Sequence, residues 1–207
     1  ATVDMAQPDA YQQCAKINEE LTIEASITKV FCSERLFEIA DEAVQLFGGY
    51  GYIQDYRPER YYRDNRINRI WEGTNEINRF LIPGTLMKRM AKGGIDFLGE
   101  IAAILDQLRT GFPAVDVNAP LAPWQNDVNQ LKKLVIYVGG VAVNVYGPDI
   151  QERQQVLHDM ADLTIGAYVA DSVLARVLKL PPAQATVPTL IVTAHLAERL
   201  PELKVIA

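Results

Sequence analysis

Cysteine and histidine are scarce: Cys14, Cys32, His158 and His195 are the full complement in 207 residues. Two cysteines cannot build a disulfide framework, which favours a reducing compartment. A structural zinc site wants four ligands, and these four residues have none of the expected spacing, so no metal site is expected. Nor do they show the spacing of a nucleophile and its base. Cys32, amid apolar helix positions, reads as an inert core thiol, and His158 as a helix-surface residue. No apolar run approaches membrane-spanning length, and no signal-peptide pattern opens the chain. The expected location is cytoplasmic, with a peripheral membrane contact as the alternative. An excess of basic charge is missing as well. The formal net charge of −6 counts against nucleic acid as the partner, because phosphate backbones select basic surfaces. Arg57, Arg60, Arg63, Arg66 and Arg69 do form a local ladder, but Asp55, Glu59 and Asp64 interleave it and cancel much of its field.

Period-two alternation is also missing, and helical periodicity is what the chain has instead. Ile23, Ile27, Val30, Phe37, Ala40, Val44 and Phe47 fall mostly three and four residues apart, with Phe31, Leu36, Ile39, Ala43 and Leu46 beside them. This is the wide apolar face of a helix lying between neighbours in a bundle. Ser33, Glu34, Arg35, Glu38, Asp41 and Glu42 supply its polar side. Gly48 and Gly49 terminate it. Pro58, preceded by a residue barred from the α region, opens a short helix over residues 59–64. A further helix starts at Thr74, whose hydroxyl can cap it. Its inner side is expected to be Ile77, Phe80, Leu81, Gly84, Met87 and Met90, with Pro83 bending it or ending its first part.

Beyond Gly93-Gly94, helices are expected over 95–108, 129–145, 152–180 and 191–200. The 152–180 helix should carry Val156, Met160, Leu163, Ala167, Ala170, Leu174 and Val177 on one face. The TVPTLIVTAH run could pass for a strand but has no partner strand. Residues 1 to about 20 read as a loop or short helical turn. Gly111, Pro113, Pro120 and Pro123 make 110–124 the best linker, dividing the chain into 1–109 and 125–207. The fold class expected is all-α.

Chemistry concentrates at Trp71-Glu72-Gly73-Thr74, where one periodic run breaks and another begins. Glu72 has two readings. It is either a solvated carboxylate at a helix start, or a general base whose pKa is raised by the neighbouring indole. The break also leaves backbone N–H groups able to receive developing negative charge. The turn Gly48-Gly49-Tyr50-Gly51 follows a helix and not a strand, which argues against the dinucleotide fingerprint of open α/β sheets. It reads as a plain tight turn or as a close approach to a pyrophosphate, with the amide of Gln45 one turn earlier within reach of a ligand.

The two stretches QLFGGYGYIQDYRPERYYRD and NRINRIWEGTNEINR closely resemble the end of the catalytic region of flavin-dependent acyl-CoA dehydrogenases. The later ERQQVLHDMADLTIGAYVADSVLARVL resembles the added C-terminal helical region of the very-long-chain type. The resemblance implies part of that family's C-terminal helical bundle followed by a second helical region. It implies that Glu72 is the catalytic base and that Trp71 and Gly73 wall the substrate pocket. Gln45, Gly49, Thr74 and Glu76 match positions near FAD; many members carry glutamine at the position of Glu76. It further implies an acyl-CoA substrate, electron-transfer flavoprotein as electron acceptor, and a homo-oligomer. The family's N-terminal helical domain and flavin-clasping β-domain are not in these residues. The chain therefore resembles a C-terminal fragment of a longer enzyme, inactive alone. An acyl-CoA oxidase and a free-standing helical interaction domain are the alternatives.

Overall fold

The computed structural model describes residues 7–113 and 119–206. The described residues are helical, with no strand among them, so the all-α expectation holds. The α-helices are α1 (Ala10–Glu20), α2 (Thr22–Phe47), α3 (Gly49–Tyr52), α4 (Arg57–Arg66), α5 (Asn75–Ala91), α6 (Phe97–Thr110), α7 (Ala122–Tyr146), α8 (Gln154–Leu178) and α9 (Pro182–Ile206). Short 3-10 segments cover Ile67–Arg69 and Gly147–Glu152. The chain divides into two compact units, one reaching Leu86 and one beginning at Met87.

In the first unit α2 is the central element. Its buried face carries Ile23, Ile27, Val30 and Ala40, spaced as the periodicity requires. α4 packs on α2, with Phe37 and Tyr62 in ring contact at 4.8 Å between centroids. Gly48 ends α2 at φ 58°, a conformation open to glycine at no steric cost. Gly51 lies against the last turn of α2. A Cβ there would stand 2.5 Å from the Val44 carbonyl oxygen and 2.9 Å from the Phe47 Cβ. Tyr56, extended at ψ 148°, is the N-cap of α4, with Arg57 and the buried Pro58 in its first turn; Arg57 is thus helical although it precedes a proline, and the helix starts two residues earlier than the expected 59.

Three other expectations for this unit need correction. The first residues are not all loop: α1 is an 11-residue helix, while residues 1–6 lie outside the described ones. Cys32 is exposed and so is not a core thiol. It sits on the side of α2 that also leaves Leu36 and Ile39 exposed, a side left uncovered by the described residues of the unit. In α5, Ile77 and Leu81 are exposed, and the buried residues are Asn75, Asn78, Arg79, Ile82 and Pro83. The helix continues through Pro83 to Ala91. Its inner face is therefore largely polar.

In the second unit α6 packs on α7, α7 on α8 and α8 on α9. The core comprises Val128 and Leu131 of α7, Ala167, Ala170, Leu174 and Val177 of α8, and Val192, Leu196 and Leu200 of α9. Gly139 and Gly140 let α7 approach the Phe97 and Ile101 side chains of α6. α9 is longer than the 191–200 expected, because its buried residues at four-residue spacing hold the helix across Pro188 and Pro201. TVPTLIVTAH lies inside it as helix. Of the expected linker, residues 114–118 lie outside the described ones. Thr110 closes α6 and residues 122–124 already belong to α7, with Pro123 in its first turn. Among the described residues no helix is long and apolar enough to cross a membrane.

Candidate catalytic turn

Between the Ile67–Arg69 segment and α5 the chain makes a turn with two successive residues at positive φ, Glu72 at 52° and Gly73 at 80°. Glycine adopts such a conformation freely. A glutamate does not, and the left-handed region costs a non-glycine residue of order 1–3 kcal/mol unless its surroundings impose it. A Cβ on Gly73 would also stand 3.0 Å from the Asn78 amide nitrogen. The glycine after Glu72 thus answers both to its φ and to a close side chain.

What imposes this backbone is a polar cluster beneath the turn. The Gly73 carbonyl accepts from Lys29 Nζ and from Asn78 Nδ2, both at 2.8 Å. Lys29 Nζ also donates to Asn75 Oδ1 at 2.6 Å. Asn75, 0% exposed, donates through Nδ2 to Ser33 Oγ and to Glu34 Oε1, each at 3.0 Å. Glu34 is closed off by Arg79, whose Nη1 and Nη2 donate to Oε1 and Oε2 at 2.7 and 3.0 Å. Lys29, Ser33 and Glu34 come from α2, Asn75, Asn78 and Arg79 from α5. Thr74 caps α5 by accepting the Ile77 N–H at 3.2 Å.

Ionisation follows this wiring. Burial pushes the Lys29 pKa below the ordinary lysine value, against the carboxylates of Glu76, Glu34 and Glu72, which pull it up. Burial also pushes the Glu34 carboxyl upward, but the hydrogen bonds from Arg79 and Asn75 and the charges of Arg79 and Arg69 outweigh it, leaving a depressed pKa. The Glu76 carboxyl is held below its usual range, first by its own backbone N–H and then by the Thr74 hydroxyl and the charges of Arg79 and Arg69, against a smaller opposing effect of burial.

Trp71, Glu72, Gly73, Thr74 and Glu76 form one local constellation, and Gln45 and Gly49 form another at the far end of α2. Sixteen helical positions separate Lys29 from Gln45, about 24 Å along the axis. Gln45, Gly49, Tyr50, Leu46 and Phe47 are all exposed there. Nothing stands within 4 Å of a Cβ built on Gly49, so the fold of this chain supplies no reason for a glycine at that position. A separate groove of 710 Å³ lies beside α3 and α4, lined by Asp41, Val44, Tyr52, Glu59, Tyr62 and Arg63 among others, and neither Gln45 nor Gly49 lines it. Among the described residues no cluster of histidine, cysteine and carboxylates could hold a metal ion.

Of the two readings of Glu72, a solvated carboxylate at a helix start and one desolvated by the neighbouring indole, this chain shows the first surroundings: Trp71 is 56% exposed and Glu72 is exposed with it. The ring is exposed because none of the described residues of the first unit covers it. The structure also adds residues that the sequence reading passed over. Ser33 and Glu34 read as solvated polar side, and Asn75, Asn78 and Arg79 carried no role. Their signal was spacing: polar residues at i, i+4 and i+5 on α2 match others at i, i+3 and i+4 on α5.

Residues 3–87 match a family model described as acyl-CoA dehydrogenase, C-terminal domain, and residues 130–207 match a second model of the same description. The chain is homologous to the acyl-CoA dehydrogenases. The similarity to a probable acyl-CoA dehydrogenase of Bacillus subtilis is 40% identity over 173 residues, which is 84% of this chain and 29% of that protein. The caffeyl-CoA reductase–Etf complex subunit CarC of Acetobacterium woodii is 48% identical over 68 residues, 33% of this chain and 18% of that one. Among solved structures, an acyl-CoA dehydrogenase complexed with FAD from Bacillus anthracis superimposes with a TM-score of 0.86 at 36% identity, covering 89% of this chain and 32% of the other. The chain thus spans about a third or less of each acyl-CoA dehydrogenase relative it matches.

Proposed function

We propose that the chain serves as the C-terminal helical region of a flavin-dependent acyl-CoA dehydrogenase, an enzyme that converts a fatty acyl-CoA thioester to the trans-2-enoyl-CoA. The observation carrying this reading is the left-handed backbone at Glu72, imposed from below by charged and amide groups while its carboxylate faces outward. A residue held at conformational cost with its carboxylate free is arranged for chemistry and not for packing. Residues 1–109 form the end of the catalytic helical domain, 110–124 the linker and 125–207 an additional helical region. That order supports the very-long-chain type.

Glu72 takes the α-proton of the bound thioester. Its backbone N–H is offered to the thioester oxygen, where negative charge builds as the proton leaves. Trp71 and Gly73 wall the acyl pocket, and the rest of the enzyme covers the exposed indole, bringing the desolvation that this chain alone lacks. FAD, when bound, supplies the acceptor for the hydrogen that leaves the β-carbon. The residues present fit such a group. Gln45 and Gly49 are exposed together, and the space over Gly49 admits a ligand that a side chain would obstruct; Thr74 and Glu76 would meet FAD at the catalytic turn. Exposed Leu46, Phe47 and Tyr50 around Gln45 support a second copy of the enzyme as the neighbour at that end. Electron-transfer flavoprotein is the proposed oxidant of the reduced enzyme, a pairing supported by the Etf complex named for the Acetobacterium relative. The 207 residues by themselves are expected to be inactive.

The test is anaerobic stopped-flow reduction of the flavin by acyl-CoA in the intact enzyme, with Glu72→Gln beside the parent. Glutamine keeps volume and deletes the proton acceptor, so reduction should slow by roughly 10²–10⁴-fold. A variant reduced at the parental rate would place the base elsewhere. Reduced parent enzyme that returns its electrons to O2 as fast as to electron-transfer flavoprotein would make it an oxidase. Parent enzyme with no flavin and no reduction would leave only the interaction domain.

A further inference from the structure

Arg79 and Glu34 tie α2 to α5 and Asn75 fills the buried space between them, while Asn78 donates from the first turn of α5 to the Gly73 and Thr74 carbonyls. Lys29 alone reaches from α2 to the backbone of the turn, its ammonium bridging the Gly73 carbonyl at 2.8 Å and Asn75 Oδ1 at 2.6 Å. The Gly73 carbonyl belongs to the peptide that follows the Gly73 Cα, one residue beyond Glu72. Fixing it anchors the C-terminal side of Gly73, and so restrains the two left-handed residues of the turn from which the Glu72 carboxylate leaves the chain. Glu72 and Gly73 at φ 52° and 80° have no repeating hydrogen-bond ladder to hold them. A charged donor gives stronger, shorter bonds than a neutral one, which suits a clamp on a strained turn.

We propose that Lys29 is a positioning residue for Glu72: its ammonium bridges the Gly73 carbonyl and the Asn75 side chain and holds the left-handed backbone that aims the carboxylate at the substrate α-carbon. This rests on Glu72 being the base. Lys29 touches neither substrate nor flavin. Its effect falls on the rate of proton removal and not on acyl-CoA binding, because the pocket walls are left alone. A misplacement of about 1 Å in a reacting group can cost 10²-fold, so losing the clamp should cost on the order of 10- to 100-fold in rate.

The experiment uses the intact flavoenzyme, with Lys29→Met, Lys29→Gln, Ile82→Val and Glu72→Gln compared in the same anaerobic assay. Flavin content, thermal midpoint, octanoyl-CoA and palmitoyl-CoA dissociation constants and the limiting rate of flavin reduction per bound flavin are read for each. Lys29→Met is expected to lower the limiting rate 10- to 100-fold while the dissociation constants stay within about twofold, the signature of an interaction realised in the transition state. Ile82→Val removes a buried methyl group from α5, the helix that follows the turn, and should lower the thermal midpoint without moving the rate. If Lys29→Met is not recovered as folded protein, Lys29→Gln carries the test. It keeps an N–H donor and loses the charge, and should slow reduction several-fold. Parental rates in whichever lysine variant folds would overturn the proposal, as would a rate loss equalled by Ile82→Val. A parental rate in Glu72→Gln would instead sink the assignment of the base, a failure separable from that of Lys29.

Discussion

Arg79 and Glu34 meet edge to edge, with Nη1 to Oε1 at 2.7 Å and Nη2 to Oε2 at 3.0 Å. The two side chains come from different helices and are mostly buried, so the pair both crosses the α2–α5 contact and sets its register. Removing one partner of such a pair costs more than the pair contributes, because a desolvated charge is left behind. Arg79→Met should destabilise the protein by about 3 kcal/mol in urea unfolding. Arg79→Lys should recover only part of the loss, since an ammonium cannot make two parallel bonds to one carboxylate. Equal stability in both variants and the parent would show that the pair contributes nothing net.

Acid should act through the same carboxylate. Protonating Glu34 in the folded state disrupts its bonds from Arg79 and Asn75, which is why its pKa lies below the ordinary 4.5. Its contribution to stability is therefore complete above the unfolded-state value and is lost as pH falls through the lower folded one. Stability of the parent should decline between about pH 5 and pH 3, and Glu34→Gln should flatten that decline. Glu76, displaced in the same direction, keeps the slope from vanishing. Thermal melts across this range read the difference, and superimposable slopes would remove Glu34 from the account.

Two glycines in one short turn should answer differently to alanine. Gly51→Ala drives a Cβ to 2.5 Å from the Val44 carbonyl oxygen, a backbone atom that cannot move aside, and should cost about 1–3 kcal/mol. Gly49→Ala meets no atom within 4 Å and should leave stability within about 0.5 kcal/mol of the parent. In the intact flavoenzyme, Gly49→Ala is nevertheless expected to weaken FAD retention. Unchanged flavin occupancy after dialysis would remove Gly49 from the cofactor site.

Glu76→Gln provides the contrast to Glu72. Its carboxylate is engaged by its own backbone N–H and by Thr74 at the start of α5, so it is not free to accept a proton from substrate. Flavin reduction in Glu76→Gln should stay far nearer the parental rate than in Glu72→Gln. Equal losses in the two variants would mean that the turn depends on both carboxylates.

Leu36, Ile39, Leu46 and Phe47 leave a wide apolar side of α2 exposed. Burying such surface is worth about 25 cal/mol per Å², so the 207-residue chain on its own should self-associate in light scattering. Ile39→Glu combined with Leu46→Glu should shift it toward monomer. A parent chain that is monomeric at every concentration would count against the proposed homo-oligomer.

The sequence by itself determined most of the helices and several of their breaks, among them the one at Glu72-Gly73-Thr74. Apolar residues at three- and four-residue spacing, glycines at 48 and 93 and prolines at 58 and 181 act on the chain within a few residues of themselves, so their effect can be read without knowing what lies across the core. The break at Glu72-Gly73-Thr74 belongs to the same class. Only the tertiary structure decided which side of α5 turns inward. Ile77 and Leu81 look like core, but Asn75, Asn78 and Arg79 are buried instead, because Lys29, Ser33 and Glu34 on α2 satisfy Asn75 and Arg79 while the Gly73 and Thr74 carbonyls satisfy Asn78. A buried polar group is favourable only when its partners are in place, and those of Asn75 and Arg79 lie more than 40 positions earlier in the chain. The left-handed backbone at Glu72 is partly of this kind: beside the local Asn78 amide, an ammonium from another helix grips the carbonyl of the glycine that follows.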